Sequence, residues 1–333
     1  MRPWIAGLLA TLACGAAGAA LAAGPGYHVI DRIAGPDGGW DYARVDAKTD
    51  RVLITRGASV MAVDLTSKQV TAGLVPGARE HIALPVNGGA EILVTNGGDN
   101  TAVFADAMTG VASGSVPTGK GPDSAAFDPH SGLVLVMDHS GGEVTLVDPK
   151  TRKVAGTVAV GGTLEEVAVD GSGRAFVAVE DRHEIAVIDI AARKVTAYWP
   201  IADCDGPGGL AYNGHEKLLI AACDGAAAIL RTSDGKVTQM LAMGKGADGA
   251  VYDPVRKLAF VPAGRDGTLA VIAFAKGKAE IVETVPTQKG ARTLALDERT
   301  GRIYLPSATY VVQTTSGRPL PVAGTFQVIV VGK

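Results

Sequence analysis

Seven similar segments, each about 42 residues long, follow one another along most of this 333-residue chain. They begin at Asp41, His81, Asp123, Glu165, Gly208, Asp248 and Arg292. A fixed period of this length is typical of repeat architectures, in which each repeat forms one supersecondary unit that packs on its neighbours. The repeat therefore restricts the chain to solenoids, propellers and related arrays.

Each repeat contains four short apolar runs that are separated by turn residues. In the third repeat these runs cover residues 124–127, 133–138, 143–148 and 153–160. Runs of this length that are rich in valine and bounded by Gly, Asp and Lys indicate β-strands. Four strands per repeat predict an all-β fold, a seven-bladed β-propeller with four-stranded antiparallel blades.

The two ends of the chain complete one blade between them. The last repeat has only three strand-like runs, at 292–297, 302–305 and 325–331, whereas residues 27–35 match the fourth run of other repeats. Pairing the N-terminal strand into the last blade would close the ring and remove its open edges. We therefore expect residues 24–333 to form a single seven-bladed β-propeller domain.

Residues 1–23 have the pattern of a Sec-type signal peptide that is cleaved near Ala22 or Ala23. A positive residue, Arg2, precedes an apolar, alanine-rich stretch with a small-x-small site at its end. The residues before Cys14 lack the large aliphatic residue that lipid attachment requires, so we do not expect a lipoprotein. The expected location is the periplasm or the exterior, as a monomer without a membrane span.

Composition excludes several classes of protein. Hydrophobic residues make up 47% of the chain, which is too many for a disordered segment. The 31 Lys and Arg are outnumbered by 34 Asp and Glu, and loss of Arg2 takes the net charge from −3 to −4. Nucleic acid is therefore not an expected partner, because phosphate binding needs clustered cations.

Aligned repeats separate structural carboxylates from candidate ligands. Two columns of acidic residues stand at strand ends before turns, where such side chains bond the backbone two residues on. The first column holds Asp46, Asp128, Asp170, Asn213, Asp253 and Asp297, and the second holds Asp64, Asp106, Asp148 and Asp189. We interpret both columns as structural.

The first position of each innermost strand varies and is mostly ionisable. These seven residues, which we call the ring positions, are Asp41, His81, Asp123, Glu165, Gly208, Asp248 and Arg292. In a propeller they surround one end of the central channel, which we call the mouth. Clustered carboxylates repel and gain from a shared cation, so Ca²⁺, Mg²⁺, Mn²⁺ or Zn²⁺ is a candidate cofactor. The alternative interpretation is a solvated channel with polar walls.

Loops between the second and third strands of each repeat reach the same face. Their candidate ligands are Asn96, Asp138, His139, Glu180, Asp181, His183, Asp224, Arg265 and Asp266. Trp40 and Tyr42 flank the first ring position, where they could stack on a planar ligand or pack inside the closing blade. No spacing among these residues reproduces a known metal or catalytic motif.

Cys204 and Cys223 are the two cysteines that remain after signal-peptide cleavage. Both are expected on the mouth face, and an even pair in an oxidising compartment favours a disulfide. The alternative is a soft-metal site that adds Asp205 or Asp224. In the last repeat, residues 307–324 form a long insertion on the same face, and its Gly and Pro residues argue against regular structure.

Two segments resemble the YVTN-type β-propeller repeat family and its YncE-like exported proteins. ILVTNGGDNTAVFADAMTG, at residues 92–110, is similar to the repeat that names the family, and VPTGKGPDSAAFDPHSG, at 116–132, matches its inter-blade turn. The C-terminal GRPLPVAGTFQVIVVGK also resembles these proteins. The resemblance implies the propeller fold, whereas the family includes both binding proteins and enzymes.

Two functions follow as expectations. The first is an exported binding or scaffold protein that holds a metal ion, a small polar ligand or a partner protein at the mouth. The alternative is a metal-dependent lyase or lactonase-like hydrolase. In that case Asp123, Glu165 and Asp248 would bind the metal. His81 or His183 would act as acid or base, and Arg292 would bind an anionic group.

Overall fold

The valine-rich runs of the repeats form antiparallel β-strands in a computed structural model of the protein. Apart from Met1, the structure describes residues 24–312 and 319–333, so most of the predicted signal peptide lies outside it. Among the described residues there are two short 3₁₀ helices and no α-helix. The described part contains no apolar helix of membrane-spanning length.

The strands of the first two repeats form one seven-stranded sheet. Its strands are β2 (Ala43–Asp46), β3 (Arg51–Thr55), β4 (Gly57–Asp64), β5 (Val70–Val86), β6 (Glu91–Asn96), β7 (Thr101–Asp106) and β8 (Ala112–Pro117). The long strand β5 pairs with β4 through its first half and with β6 through its second half. One 3₁₀ helix, Asn87–Gly89, joins β5 to β6.

Each of the five remaining repeats has its own four-stranded sheet. The third and fourth repeats form β9 (Pro122–Asp128), β10 (Leu133–Asp138), β11 (Glu143–Asp148), β12 (Lys153–Ala159), β13 (Leu164–Val169), β14 (Arg174–Val179), β15 (Glu184–Asp189) and β16 (Lys194–Pro200). The fifth and sixth form β17 (Gly209–Asn213), β18 (Leu218–Cys223), β19 (Ala226–Arg231), β20 (Val237–Ala242), β21 (Val251–Asp253), β22 (Leu258–Ala263), β23 (Thr268–Ala275) and β24 (Lys278–Pro286). The second 3₁₀ helix is Glu180–Arg182.

The last sheet joins the two ends of the chain, as predicted. Its strands are β25 (Ala295–Asp297), β26 (Arg302–Ser307), β29 (Gln327–Gly332) and β1 (His28–Ala34). β1 pairs antiparallel with β29, so that Val29 lies opposite Val331 and Ile33 opposite Val328. The N-terminal strand thus completes this sheet and closes the ring.

The fold is a β-propeller, as the repeat predicts. The first strands of the repeats contact one another in a closed cycle of β2, β5, β9, β13, β17, β21 and β25. Dividing the seven-stranded sheet within β5 gives two four-stranded units. Together with the five four-stranded sheets they make seven units. The count of seven blades stays a prediction, because β2–β8 are one continuous sheet.

The hydrophobic core lies between neighbouring sheets and not at the centre of the ring. Between the sheets of the third and fourth repeats, Leu135 and Leu146 pack against Val177 and Ile188, and all four side chains are fully buried. Middle strands such as β18 are buried at every residue because a sheet covers each of their faces. The outer strand β16 alternates between exposed and partly buried residues, since only one face is covered.

The acidic columns stabilise turns, in agreement with their structural interpretation. Asp128 accepts hydrogen bonds from the backbone N–H groups of His130 and Ser131. Asp253 does the same for Val255 and Arg256. These carboxylates are occupied by their own turns and are therefore not candidate ligands.

The predicted disulfide is present, with Cys204 and Cys223 bonded and their Cα atoms 5.2 Å apart. The expectation that residues 307–324 lack regular structure is wrong for the described part. β27 (Tyr310–Val312) and β28 (Pro319–Pro321) form a two-stranded antiparallel ribbon. Prolines are compatible with it because both strands are edge strands.

Glu166 spans the central channel and joins four repeats. Its Oε1 accepts a hydrogen bond of 2.9 Å from Arg44 Nη2, on the opposite side of the ring. Its Oε2 accepts from the backbone N–H groups of Leu210, at 2.9 Å, and Ala250, at 3.4 Å. These two N–H groups can meet because a Cβ at Gly209 would clash with the Gly249 backbone.

We expect Glu166→Ala to lower the free energy of unfolding by about 3–5 kcal/mol, since it leaves Arg44 and two buried donors unpaired. Urea unfolding checks this value. Glu280→Ala, which removes an exposed carboxylate from β24, is the control and should change stability by less than about 0.5 kcal/mol. Equal stability of the two variants would contradict a bracing role for Glu166.

Candidate functional site

The ring positions converge because each stands at the same end of an inner strand. His81, Asp123 and Glu165 lie within β5, β9 and β13. Asp41 and Arg292 lie two or three residues before β2 and β25. Adjacent inner strands are in contact, so their starts form one arc at the mouth.

Hydroxyl groups fix the backbone of this arc from one repeat to the next. Thr55 donates to the His81 carbonyl at 2.6 Å, and Thr95 donates to the Asp123 carbonyl at 2.7 Å. Ser124 and Thr293 donate in the same way to the Glu165 and Asp41 carbonyls, at 2.7 and 2.8 Å. Each ring residue is thus held by its neighbouring repeat, which restricts where its side chain can lie.

Six of the seven ring positions line a small cavity of about 240 Å³. Its lining comprises Asp41, Tyr42, Arg79, His81, Gly97, Gly121, Asp123, His139, Ser140, Glu165, Asp248 and Arg292. Four carboxylates and two imidazoles therefore share one confined space. Gly208, the ring position without a side chain, does not line it.

His81 lies between two carboxylates from the neighbouring repeats. Its Nδ1 donates a hydrogen bond of 2.7 Å to Asp41 Oδ2 and lies 3.1 Å from Asp123 Oδ1. Burial disfavours the protonated imidazole, but Asp41 and Asp123 outweigh it and raise the pKa of His81. The protonated form of the His81 imidazole is therefore favoured.

His139 occupies the matching place on the other side of Asp123. Its Nδ1 lies 3.1 Å from Glu165 Oε1 and 3.8 Å from Asp123 Oδ2. It also lies 3.0 Å from the Leu164 carbonyl oxygen. The hydrogen bond to Glu165 raises the pKa of His139 to about 9. Asp123 consequently stands between two imidazoles, each with a further carboxylate beyond it.

Arg292 is a permanent cation that pairs with two of these carboxylates. Its Nε donates a hydrogen bond of 2.6 Å to Asp248 Oδ2, and its Nη2 lies 3.8 Å from Asp41 Oδ1. Burial raises the pKa of Asp248 despite this partner. Burial likewise raises the pKa of Glu165, and it raises that of Asp123 to about 7. Negative charge is thus costly in this cavity, so a cation that enters it is stabilised.

A second, larger cavity of about 740 Å³ adjoins the first. Asp248 and Arg292 line both cavities, and the additional residues include Glu180, Asp205, Asp224, Arg265, Lys289 and Tyr310. Cys204 and Cys223 precede Asp205 and Asp224, so the disulfide joins two segments of this wall. Like the wall of the small cavity, this wall carries both carboxylates and cationic side chains.

Five of the candidate ligands predicted from the sequence lie away from both cavity walls, namely Asn96, Asp138, Asp181, His183 and Asp266. Asp138 is fully buried and accepts a hydrogen bond of 2.7 Å from Thr145. Burial raises the pKa of Asp138 to about 7. His183 turns towards the disulfide, where its Nδ1 lies 2.9 Å from the Cys204 carbonyl oxygen.

Trp40 and Tyr42, which flank the first ring position, differ in whether they pack inside the closing blade or face the site. Trp40 is buried and packs on Tyr310 and Phe326, with ring centroids 6.0 and 5.4 Å apart, so it belongs to the closing blade. Tyr42 is also buried but lines the small cavity. It is therefore the member of the pair available to the site.

Sequence reasoning missed several residues that shape the mouth. Lys289 and Tyr310 reach the large cavity from the last two repeats, and no pattern in the repeat marks either of them. Glu166 had a detectable signal. The residue after each ring position is Tyr42, Ile82, Ser124, Glu166, Gly209, Gly249 or Thr293, and the glutamate is the one charged member.

Comparison with known proteins supports the fold and no particular family. No protein-family model matches the chain, and no curated protein matches it. A chain from Kuenenia stuttgartiensis hydrazine synthase is similar over 86% of this chain and 95% of its own length, with a TM-score of 0.70 and 14% identity.

A chain from a mitotic checkpoint complex is similar over 99% of both chains, with a TM-score of 0.70 and 11% identity. At such identities the likeness concerns the fold alone. The YVTN-type resemblance stays a prediction, since no family model supports it.

Glu80, which precedes His81, is a buried carboxyl group that no sequence pattern marks. It is 2% exposed, and within the described residues neither of its oxygens has a hydrogen-bond partner. Burial raises its pKa to about 8. The folded protein therefore keeps Glu80 protonated at pH values where the unfolded chain has lost the proton.

We expect the wild type to lose stability relative to Glu80→Gln as the pH rises from about 4.5 to 8, by up to about 1.4 kcal/mol per pH unit. Urea unfolding of both proteins at pH 5, 6.5 and 8 measures this difference. Glu280→Gln, at an exposed site, should show no such slope. A constant difference for Glu80→Gln would mean that the buried carboxyl is ionised throughout.

Proposed function

We propose that this chain is an exported binding protein whose mouth holds a cation together with a small polar molecule. One observation carries the proposal, namely that a small cavity with four carboxylates and two imidazoles adjoins a larger cavity and shares Asp248 and Arg292 with it. Propeller folds support binding sites at their channel ends, and the disulfide is compatible with an oxidising location.

The small cavity is suited to the cation. Four carboxylates face it, and the burial of Asp123, Glu165 and Asp248 makes their negative charge unfavourable. Arg292 compensates for part of this charge through Asp248, on one side of the cavity. On the opposite side the nearest cationic groups to Asp123 and Glu165 are the two imidazoles, and Arg292 approaches Asp41 only to 3.8 Å, so a divalent ion is favoured there.

The large cavity is suited to the polar molecule. Its volume of about 740 Å³ is in the usual range for small-ligand pockets. Arg265, Lys289 and Arg292 supply positive charge, and Tyr310 supplies an aromatic face. A ligand with an anionic group could therefore contact Arg292 and approach the cation next door. Nucleic acid does not fit, because the mouth concentrates negative charge.

A metal-dependent lyase or lactonase-like hydrolase is the second candidate, favoured by the direct contact between the two cavities. An ion bound by Asp123 and Glu165 would face a substrate in the large cavity, where Arg292 could bind its anionic group. His81, which lines the small cavity, would then act as acid or base, whereas His183 lines neither cavity. Mn²⁺-dependent turnover of a lactone panel that Asp123→Asn abolishes would favour this candidate.

We expect millimolar chlorides of Ca²⁺, Mg²⁺, Mn²⁺ or Zn²⁺ to raise the Tm of the wild type, at least for one ion, because binding to the folded state stabilises it. Differential scanning fluorimetry after chelator treatment measures the shift. Asp123→Asn and Glu165→Gln should remove it, whereas Glu280→Gln should keep it. Shifts of equal size in all four proteins would place ion binding elsewhere and overturn the proposal.

A further inference from the structure

We propose that Asp123 is a bridging carboxylate between two divalent transition-metal ions. One ion would be bound by Asp41, His81 and Asp123, and the other by Asp123, His139 and Glu165. The inference rests on the proposed function, since it specifies which cation site the small cavity provides. It adds the number of ions, their ligands and their chemical class.

The first support is the arrangement of the ligand atoms. Two groups of three ligand atoms, each group within 4.8 Å, overlap in Asp123 and in no other residue. The two oxygens of Asp123 face different groups, since Oδ1 lies 3.1 Å from His81 Nδ1 and Oδ2 lies 3.8 Å from His139 Nδ1. A carboxylate that bridges two ions with one oxygen on each ion has this division of its oxygens.

The second support is the state of Asp123 itself. The residue is 9% exposed, and its Oδ1 is buried without a hydrogen-bond partner among the described residues. The nearest nitrogen, His81 Nδ1, makes its hydrogen bond to Asp41 instead. A buried carboxylate oxygen that accepts no hydrogen bond is unfavourable, and coordination of a cation would satisfy it.

The ligand set decides the class of metal. Each half offers one imidazole nitrogen and two carboxylates, a mixture that suits Mn²⁺, Fe²⁺ or Zn²⁺, whereas Ca²⁺ and Mg²⁺ favour oxygen alone. Three protein ligands leave coordination positions open for water or for a group from the large cavity. Each ion takes the place of the proton on Nδ1, so binding releases protons.

The repeat explains why the two halves match. Asp41, His81, Asp123 and Glu165 are consecutive ring positions, and the carbonyl of each accepts a hydrogen bond from a hydroxyl group of the preceding repeat around the ring. His139 comes from the β10–β11 loop and occupies the place between Asp123 and Glu165. The arc therefore alternates carboxylate, imidazole, carboxylate, imidazole and carboxylate.

Metal stoichiometry tests the proposal. Chelator-treated protein is titrated with MnCl₂ or ZnCl₂ by calorimetry, and the bound metal is measured by mass spectrometry after gel filtration. We expect two ions per chain for the wild type and for Glu280→Gln. We expect one ion for His81→Ala and one for His139→Ala, because each substitution removes a ligand from one half only. Asp123→Asn should bind neither ion with wild-type affinity.

Other outcomes separate this inference from the proposed function. One ion per chain in the wild type would overturn the bridge but leave a cation site at the mouth. Loss of all metal in both histidine variants, with folding verified by circular dichroism, would likewise indicate one shared site. No binding by the wild type would overturn both proposals. The two histidine variants keep the test decisive if Asp123→Asn does not fold.

Discussion

Pairing between β1 and β29 is the interaction on which the mouth depends. It gives the last sheet its fourth strand and leaves no open edge between the first and last repeats. Closure brings Asp41 of the first repeat next to the last one, where Thr293 donates to its carbonyl and Arg292 approaches its carboxylate. An open ring would separate these groups, and the small cavity would lose a wall.

Within the closed ring, charged side chains pair across or around the channel at two levels. At the mouth, His81 and His139 lie between the carboxylates and Arg292 pairs with Asp248. One residue further along β13, Glu166 reaches Arg44 and two backbone donors inside the channel. The lower level ties the inner strands together, and the upper level remains accessible from the larger cavity. The proposed binding site and the brace across the channel thus use neighbouring residues of β13, Glu165 and Glu166.

The sequence predicted the fold and the composition of the mouth because both depend on the repeat. A period of about 42 residues with four strand-like runs determines the sheets, and the variable column determines the ring positions. The distances between side chains depend on how adjacent inner strands lie along the channel, which the period does not specify. Asp138 ends β10 and His139 follows it directly, yet His139 reaches the cavity and Asp138 turns to Thr145. The role of Tyr310 depends on a ribbon that interrupts the repeat.

Anomalous X-ray diffraction from crystals grown with Mn²⁺ tests the proposed mouth most directly. We expect two anomalous peaks, roughly 3.5–4 Å apart, on either side of the Asp123 carboxylate. One peak would lie next to His81 and the other next to His139. A map with no peak in the small cavity, at Mn²⁺ concentrations that saturate the protein in solution, would contradict a metal-binding ring.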